Sequence, residues 1–241
     1  MTKPLVAILT GAGVSTDSGI PDYRGPNGLW RKDPEAEKLV TYEYYMGDPE
    51  IRRRSWQMRR RSEALGAEPN AAHRAIVDLE RSGVPVRVLT QNVDGLHQLA
   101  GLPARKVLEL HGTAREFVCT QCGGRGPMQD TLARLDAGED DPPCLECGGI
   151  LKSATVMFGE HLDPAVLGDA LAVAKACQVF YAVGSSLKVH PAAGLVGVAA
   201  EHGARLVVVN GEATPYDEVA DDVVREPIGT ALPRLLGELA G

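Results

Sequence analysis

A short apolar segment that runs directly into a glycine turn constrains the fold of this chain most. Leu5–Leu9 is apolar and partly β-branched, which predicts a buried strand of a parallel sheet. Gly11, Ala12 and Gly13 follow it, and the polar residues at 15–18 are typical of a helix start. Such a strand, turn and helix N-terminus form a cradle for a phosphate group, because backbone N–H groups and the helix dipole face the anion. On these residues alone, a generic α/β turn that binds nothing remains an alternative.

The residues after the turn depart from the dinucleotide fingerprint of dehydrogenases. Thr16 stands where that fingerprint has its third glycine. The fingerprint also requires an acidic ribose ligand after a second strand, about 20 residues later. The chain instead enters a loop with the sequence GIPDYRG at residues 19–25. These departures disfavour a nicotinamide dehydrogenase.

Length, composition and charge limit the class of protein. The 241 residues allow one full α/β core and a small appended module, and 44% hydrophobic with 24% charged residues is ordinary for a soluble globular protein. A net charge of −7 argues against a nucleic-acid binder, which needs a basic face. We interpret residues 5–14 as the first strand and its turn rather than a signal peptide, and no other apolar run approaches a membrane span. We therefore expect a cytoplasmic monomer that binds neither nucleic acid nor a membrane.

Four of the five cysteines form two C-x-x-C pairs, each followed by two glycines. Glycines permit the tight turns that bring backbone amides toward thiolates, and two such turns make a closed tetrahedral zinc site. The segment between the pairs, residues 123–143, is slightly longer than the about 15–20 residues usual for this pattern, and residues 135–143 read as a variable loop. A redox dithiol is the weaker alternative. The pattern predicts one structural Zn²⁺ held by Cys119, Cys122, Cys144 and Cys147.

Further apolar segments alternate with helical patterns along the chain. This alternation predicts an α/β fold, a doubly wound parallel (Rossmann-like) sheet with a small helical plus zinc-ribbon module. The predicted Rossmann-like domain comprises residues 1–30, 84–115 and 153–241, with a helical insertion at 31–83 and the zinc-ribbon module at 116–152. The predicted strands cover residues 84–89, 107–110, 179–183, 206–209 and 222–225, and three predicted helices cover 69–82, 164–176 and 192–202. A closing amphipathic helix is predicted after Gly229, with its apolar positions at 232, 235, 236 and 239.

Polar residues follow several of these strands where they end, which is where α/β folds place ligands. Gln91, Asn92 and Asp94 can hydrogen-bond ribose hydroxyls and a carboxamide, although Asp94 could instead cap the next helix. His111 comes at once after a predicted strand, and imidazole titrates near neutrality, which suits a general base. Asn210 ends another strand and can bind the adenine ribose in place of the missing acidic residue.

These motifs together resemble the sirtuins, NAD-consuming protein deacylases. The resemblance includes the turn with residues 19–25, the block TQNVDGLH at 90–97 and His111-Gly112, and it extends over nearly the whole chain. The chain resembles a minimal bacterial-type member of this family. The resemblance implies His111 as catalytic base and Asn92 in the ribose and catalytic water network. It implies NAD contacts from Gly11, Ala12, Gly13, Thr16, Tyr23, Arg24, Gln91, Val93, Asp94, Gly184, Ser185, Ser186, Asn210 and Ile228.

The same resemblance implies how an acylated peptide is held. In sirtuins the segment corresponding to residues 155–160 pairs with the substrate backbone as an added strand, although a plain core strand is the alternative. Trp56 and Arg59 are spaced like a tyrosine and an arginine in sirtuins that remove acidic acyl groups, while the other arginines of residues 52–61 mostly indicate a solvated helix face. The expected substrate contacts are Trp56, Arg59, Val156, Phe158, Gly159, Glu160 and Val189.

The implied reaction is an attack of the acyl-lysine carbonyl on the nicotinamide ribose of NAD. It yields nicotinamide, deacylated lysine and O-acyl-ADP-ribose, with Tyr23 as an aromatic lid over the cofactor. Two alternatives remain open from the sequence. One is a mono-ADP-ribosyltransferase, and the other is a non-catalytic NAD-sensing or zinc-ribbon interaction module, which would not need a base such as His111.

Overall fold

The computed structural model describes residues 3–22 and 34–240, and its central element is a six-stranded sheet. Every neighbouring pair of strands in this sheet is parallel, and the order is β3-β2-β1-β7-β8-β9. The predicted doubly wound parallel sheet is therefore confirmed. Its strands are β1 (Val6–Thr10), β2 (Val86–Thr90), β3 (Val107–Glu109), β7 (Val179–Val183), β8 (Arg205–Val209) and β9 (Asp222–Val224).

Helices cover both faces of this sheet, which is why its central strands are apolar throughout. In β1, Val6 and Ile8 belong to one core, and Ala7 and Leu9 belong to the other. The first core includes side chains of α3 (Ala71–Arg81) and α8 (Ile228–Ala240), and the second includes those of α6 (Pro164–Ala176) and α7 (Gly194–Glu201).

Helix α3 begins with a reciprocal cap. Asn70 accepts hydrogen bonds from the N–H groups of Ala72 and His73, and the His73 ring accepts one from the Asn70 N–H. His73 is therefore a capping residue. Gly83, with φ of 85°, follows the helix end in the left-handed conformation that favours glycine. Because α3 packs on the main sheet, it belongs to the Rossmann-like layers rather than to the predicted insertion at 31–83.

The described part of the insertion is helical. It contains α1 (Tyr42–Gly47), α2 (Pro49–Arg60) and two 3₁₀ helices, Pro34–Val40 and Glu63–Leu65. Two short helical segments lie elsewhere, α4 (Leu96–Leu99) and a 3₁₀ turn at Ala104–Lys106. Within the described ranges, none of the helices has the length and apolar content needed to cross a bilayer.

The cysteine pairs lie in a separate antiparallel sheet with the strand order β5-β4-β6. Its elements are β4 (Gly112–Cys119), β5 (Arg125–Pro127), β6 (Leu151–Thr155) and helix α5 (Met128–Asp136). Helix α5 was not predicted from the sequence, and its last residues fall in the predicted variable loop at 135–143. The sheet also extends beyond the predicted limits 116–152, because β4 begins directly after His111.

Helix α2 joins the insertion to this small sheet. Arg52 is buried and pairs with Asp141 at 2.8 Å, and Arg60 pairs with Asp136 at 2.6 Å. Most of the arginines at 52–61 are exposed, as predicted, but the guanidinium groups of Arg52 and Arg60 also bind the module that carries the cysteines.

Candidate active site

The predicted site residues line up along one edge of the main sheet. The segments after β3, β2, β1, β7 and β8 all leave the sheet at its carboxyl edge, since the strands are parallel. From β1 the chain first adds β2 and β3 on one side, and later adds β7, β8 and β9 on the other. Such a switch point, here between β1 and β7, opens the crevice in which α/β sheets bind ligands.

The turns after β1 and β7 meet backbone against backbone at this crevice. The Gly11 N–H donates to the Val183 carbonyl at 2.9 Å, and the Gly13 N–H donates to the Gly184 carbonyl at 2.8 Å. A Cβ on Gly11 would lie 2.7 Å from the Gly184 oxygen, and Gly184 itself has φ of 63°. These glycines are therefore required by the packing of the two turns as well as by any phosphate group. The half-buried Ala12, Gly13, Ser185 and Ser186 leave this crevice accessible to a cofactor.

The residues after Gly11 do not form the α-helix that the sequence indicated. Ala12–Ser18 is a 3₁₀ helix that ends at Gly19, whose φ is 84°. Thr16 is exposed on this helix, and its hydroxyl donates to the Gly13 carbonyl at 3.0 Å. Ser15 is turned inward and is 1% exposed.

Ser15 connects the two polar side chains that follow β2. Its hydroxyl donates to Asp94 Oδ2 at 2.7 Å and accepts from Asn92 Nδ2 at 3.1 Å. Asp94 Oδ1 accepts from the Leu96 N–H at 2.9 Å, so the helix-capping alternative is also correct for this carboxylate. From the sequence, Ser15 was predicted only as part of a helix start. Its position directly after the glycine turn was the available signal for a site residue.

A buried network of hydroxyl and imidazole groups packs against the loop that follows β2. Thr10 Oγ1 donates to Thr90 Oγ1 at 2.9 Å and lies 2.9 Å from His97 Nε2, and Thr90 Oγ1 accepts from the Asn92 N–H at 3.0 Å. Burial lowers the pKa of His97 to about 3 and that of His73, whose ring centroid is 4.9 Å away, to about 4. Both imidazoles are therefore neutral at physiological pH.

Gln91 links the base candidate to the turn after β7. Its side-chain amide donates to Ser185 Oγ at 2.9 Å, and its carbonyl accepts from His111 Nδ1, also at 2.9 Å. Because a carbonyl can only accept, Nδ1 carries the proton and Nε2 keeps its lone pair. Burial lowers the pKa of His111, and the hydrogen bond to the Gln91 carbonyl partly opposes this. The neutral ring is therefore suited to accept a proton at Nε2.

The segment predicted to hold the substrate backbone lies directly beside His111. The Val156 N–H donates to the His111 carbonyl at 2.8 Å, and the Phe158 N–H donates to the Val40 carbonyl at 2.9 Å. The Glu160 carboxylate turns back into the protein, where it accepts from Lys152 Nζ at 2.9 Å and from the Met157 N–H at 2.8 Å. The carboxylate therefore fixes the conformation of this segment, and the pairing of its backbone with a substrate stays a prediction.

Trp56 and Arg59 both contact the antiparallel sheet. Trp56 is 0% exposed and packs in the small core of the cysteine module, so it cannot contact an acyl group there. Arg59 donates to Ser153 Oγ at 3.0 Å and to the Ser55 carbonyl at 3.1 Å. The expected contact of Trp56 with an acyl chain is therefore corrected, because its ring is fully buried in this core. The contact predicted for the half-buried Arg59 stays a prediction, although its hydrogen bond to Ser153 connects α2 to the antiparallel sheet.

The remaining predicted contacts are distributed around the same edge. Asn210 follows β8, and its amide donates to the Glu212 carbonyl at 2.8 Å. Ile228 begins α8 and is half-buried, as is Val189 beyond the turn after β7. Gly159 is exposed next to the substrate segment. Tyr23 and Arg24 lie outside the described residues.

The four cysteines converge as the spacing predicted. Their sulfurs all lie within 4.8 Å of one another, with Cys119 Sγ 3.5 Å from Cys147 Sγ and Cys122 Sγ 3.7 Å from Cys144 Sγ. Four sulfurs about 2.3 Å from a tetrahedral zinc ion are roughly 3.8 Å apart, so the donor set fits Zn²⁺.

Two similar turns present these sulfurs. The Cys119 N–H donates to the Gly124 carbonyl and the Cys144 N–H to the Gly149 carbonyl, both at 2.8 Å. The Gln121 N–H also points at Cys119 Sγ, 3.4 Å away, and such a backbone donor stabilises a thiolate. With four protein ligands the site is closed, so its ion is structural and takes no part in the reaction.

The sequence model of the Sir2 family matches residues 11–191, from the glycine turn to the residues beyond the turn after β7. The chain belongs to the Sir2 family. The resemblance to sirtuins, proposed from the sequence motifs, is thereby confirmed.

Relatives of this Sir2 family member are similar over nearly its whole length. A protein of Streptomyces coelicolor named NAD-dependent protein deacetylase 2 is 82% identical over 97% of both chains. A Sir2 structure with deacetylated p53 peptide and 3′-O-acetyl ADP-ribose has a TM-score of 0.89 and 34% identity, covering 98% of this chain and 94% of that chain. Another, Sir2Tm bound to a propionylated peptide, has a TM-score of 0.85 and 32% identity, covering 97% and 92%.

Proposed function

We propose that this Sir2 family member is an NAD-dependent protein lysine deacylase. The high identity to an NAD-dependent protein deacetylase supports the activity. The neighbouring structures with a deacetylated peptide, a propionylated peptide and 3′-O-acetyl ADP-ribose support acylated lysine peptides as substrates and O-acyl-ADP-ribose as product.

The observation that carries the proposal is the environment of His111. Its Nδ1–H is bound by the Gln91 carbonyl, and its own carbonyl holds the segment that begins at Val156. The base and the substrate segment therefore occupy fixed positions relative to each other. His111 Nε2 accepts the proton of a ribose hydroxyl, which prepares that oxygen to attack the acyl carbon.

The rest of the edge binds and orients. NAD, as co-substrate, would supply the ribose: the acyl oxygen displaces nicotinamide from its anomeric carbon, and water then releases the lysine amine and leaves the acyl group on a ribose oxygen. The glycine turns with Ser185 and Ser186 hold its phosphate and adenosine portions, and Asn210 and Ile228 lie at the adenosine end. Asn92 and Asp94, joined through Ser15, orient the ribose and the nicotinamide carboxamide.

Mass spectrometry of an acetyl-lysine peptide, incubated with the enzyme with and without NAD, tests this function. We expect NAD-dependent loss of the acetyl group with O-acetyl-ADP-ribose appearing. His111→Ala should lower turnover about 10²- to 10⁴-fold, because a positioned base contributes that much, while NAD binding remains. His202→Ala, a change of an exposed histidine, serves as the control and should keep wild-type turnover.

Two results would contradict the proposal. Undiminished turnover in His111→Ala would show that His111 is not the catalytic base. ADP-ribose mass added to protein, without deacetylation, would instead identify a mono-ADP-ribosyltransferase.

We further expect a cytoplasmic monomer that binds no nucleic acid, and sedimentation of the purified enzyme would test the oligomeric state.

A further inference from the structure

The loop between β2 and α4 is held on two sides. Ser15 binds the side chains of Asn92 and Asp94 on the β1 side, whereas β4 binds the loop backbone. The Ala114 N–H donates to the Val93 carbonyl at 2.8 Å, and Arg115 Nε donates to the Asp94 carbonyl at 2.7 Å.

The arginine side chain also crosses the glycine that ends this loop. Gly95 has φ of 71°, and a Cβ built on it would lie 2.5 Å from Arg115 Nε and 2.8 Å from Arg115 Cδ. A larger residue at position 95 would therefore push the guanidinium off the Asp94 carbonyl. The loop and the arginine fit each other closely, as parts of one packed unit.

The far end of Arg115 reaches a buried polar cluster. Its Nη2 and Gln98 Oε1 are both buried and have no hydrogen-bond partner among the described residues. Burial raises the pKa of Glu109, while a hydrogen bond from Gln98 and the charge of Arg115 oppose this rise. The half-buried arginine therefore holds the Asp94 carbonyl through Nε, while its charge acts on Glu109 at the end of β3.

We propose that Arg115 is a positioning residue for deacylation, which holds the loop Asn92–Gly95 in the shape that receives the nicotinamide end of NAD. This inference rests on the function proposed above, because in that function Asn92 and Asp94 of this loop orient the ribose and the nicotinamide carboxamide. Arg115 lies on β4, the strand that runs from the residue after His111 to the metal ligand Cys119. It therefore connects the loop to the module built around the cysteines.

Arg115→Ala tests the proposal by separating turnover from cofactor binding. We expect kcat to fall about 10- to 100-fold, because a displacement of about 1 Å in the reacting groups costs that much. The inhibition constant of nicotinamide should rise about tenfold, since the loss of a hydrogen bond from a charged group is of that order. The Kd for NAD should change less than about threefold, because the glycine turns that hold the rest of the molecule are intact.

Two further variants distinguish positioning from general stability. Arg115→Lys keeps a donor and a positive charge near the Asp94 carbonyl, and it should restore part of the lost kcat. Arg125→Ala removes an arginine of the same module that forms an exposed pair with Glu116, and it should leave kcat and nicotinamide inhibition unchanged.

Hydrogen exchange tests the loop directly and does not depend on activity. In Arg115→Ala we expect faster exchange in peptides that cover residues 91–99 and unchanged exchange in peptides that cover residues 179–187. If the wild-type protein exchanges normally but deacylates nothing, the proposed function fails while the exchange result still decides the role of Arg115. Wild-type kcat, nicotinamide inhibition and loop exchange in Arg115→Ala would overturn the inference, as would a uniform rise of exchange throughout the chain with loss of zinc.

Discussion

The two halves of the NAD edge are fixed by different physical means. In the first, which we call the steric half, two turns touch around Gly11, Gly13 and Gly184 mainly through backbone atoms, at distances that leave no room for a side chain. The second, which we call the polar half, is the loop Asn92–Gly95. Side-chain hydrogen bonds from Ser15 on one side and Arg115 on the other hold it, together with one backbone hydrogen bond from Ala114. A steric contact of the first kind fails as a whole when an atom is added, whereas a polar network of the second kind weakens by degrees.

Gly13→Ala should produce the largest effect, because it breaks the steric half. The added Cβ would lie 2.8 Å from Gly184 Cα and 2.9 Å from the Gly184 oxygen, which are backbone atoms that cannot rotate away. We expect the free energy of unfolding to fall by about 1–3 kcal/mol or more. We also expect NAD binding to become undetectable by calorimetry, because the two turns must separate.

The matched control is another glycine in the same domain. Gly237 is exposed on helix α8, and no heavy atom lies within 4 Å of the position that a Cβ would take there. Gly237→Ala should therefore stabilise the protein by about 0.5–1 kcal/mol and keep NAD binding. Urea unfolding and calorimetry of both variants check the pair. Normal stability and NAD affinity in Gly13→Ala would refute the steric account of this turn.

Ser15→Ala should give the next largest effect, because it weakens the polar half without adding atoms. It leaves Asp94 Oδ2 and Asn92 Nδ2 without the hydroxyl that joins them, a cost of about 1–3 kcal/mol for buried groups. We expect kcat to fall about 10- to 100-fold, with a much smaller change in the Kd for NAD.

Ser18→Ala is the control for that variant, because Ser18 lies on the same 3₁₀ helix but bonds Asn70. Its kcat should stay near the wild-type value. Equal losses of kcat in the two serine variants would mean that the helix, and not the bridge between Asn92 and Asp94, supports catalysis.

The steric half could be predicted well from sequence, and the reason is local. Strand β7 occupies residues 179–183 and helix α6 residues 164–176, as predicted, because an apolar run or a helical pattern bounded by polar and glycine residues determines each. The predicted metal cluster also formed, since two C-x-x-C turns carry most of its geometry in their own sequence.

The polar half could be predicted only in part, because its contacts join distant segments. Ser15 meets Asp94 only because β1 and β2 are neighbours in the sheet, which the order of residues does not state. Arg115 follows His111 closely in the sequence, yet its hydrogen-bond partner is the carbonyl of Asp94, in the loop after β2. Trp56 illustrates the opposite error: an aromatic residue three positions from an arginine suggested a ligand contact, but its neighbours Met128 and Leu151 come from another module.

Acid should destabilise the protein through the imidazoles beneath the polar half. Burial lowers the pKa of His97 to about 3 and that of His73 to about 4, whereas both titrate near 6.5 in the unfolded chain. Between these values the unfolded state binds more protons than the folded state. The free energy of unfolding therefore has its full value above pH 6.5 and falls as the pH drops toward 4. At pH 5 the loss should be about 2 kcal/mol for each histidine.

Urea unfolding at a series of pH values from 7.5 to 4.5 checks this dependence. His97→Gln removes one titrating ring and should flatten the curve, while His202→Ala, at an exposed position, should leave its slope unchanged. The same slope in wild type and in His97→Gln would show that the acid sensitivity arises elsewhere.

Arg59→Met should have the smallest effect, because Arg59 belongs to neither half of the NAD edge. Its guanidinium carbon lies 5.7 Å from the centroid of the Trp56 ring, and Nη2 donates to Ser153 Oγ, so its contacts join α2 to β6. We expect the ratio of kcat/KM for succinyl and acetyl peptides to change less than about threefold, within the range of a substitution away from the reacting groups. Peptides that differ only in the acyl group, assayed with the wild type and the variant, measure this ratio. A selective loss of succinyl activity in Arg59→Met would instead show that this arginine reaches the acyl chain, and that α2 moves when substrate binds.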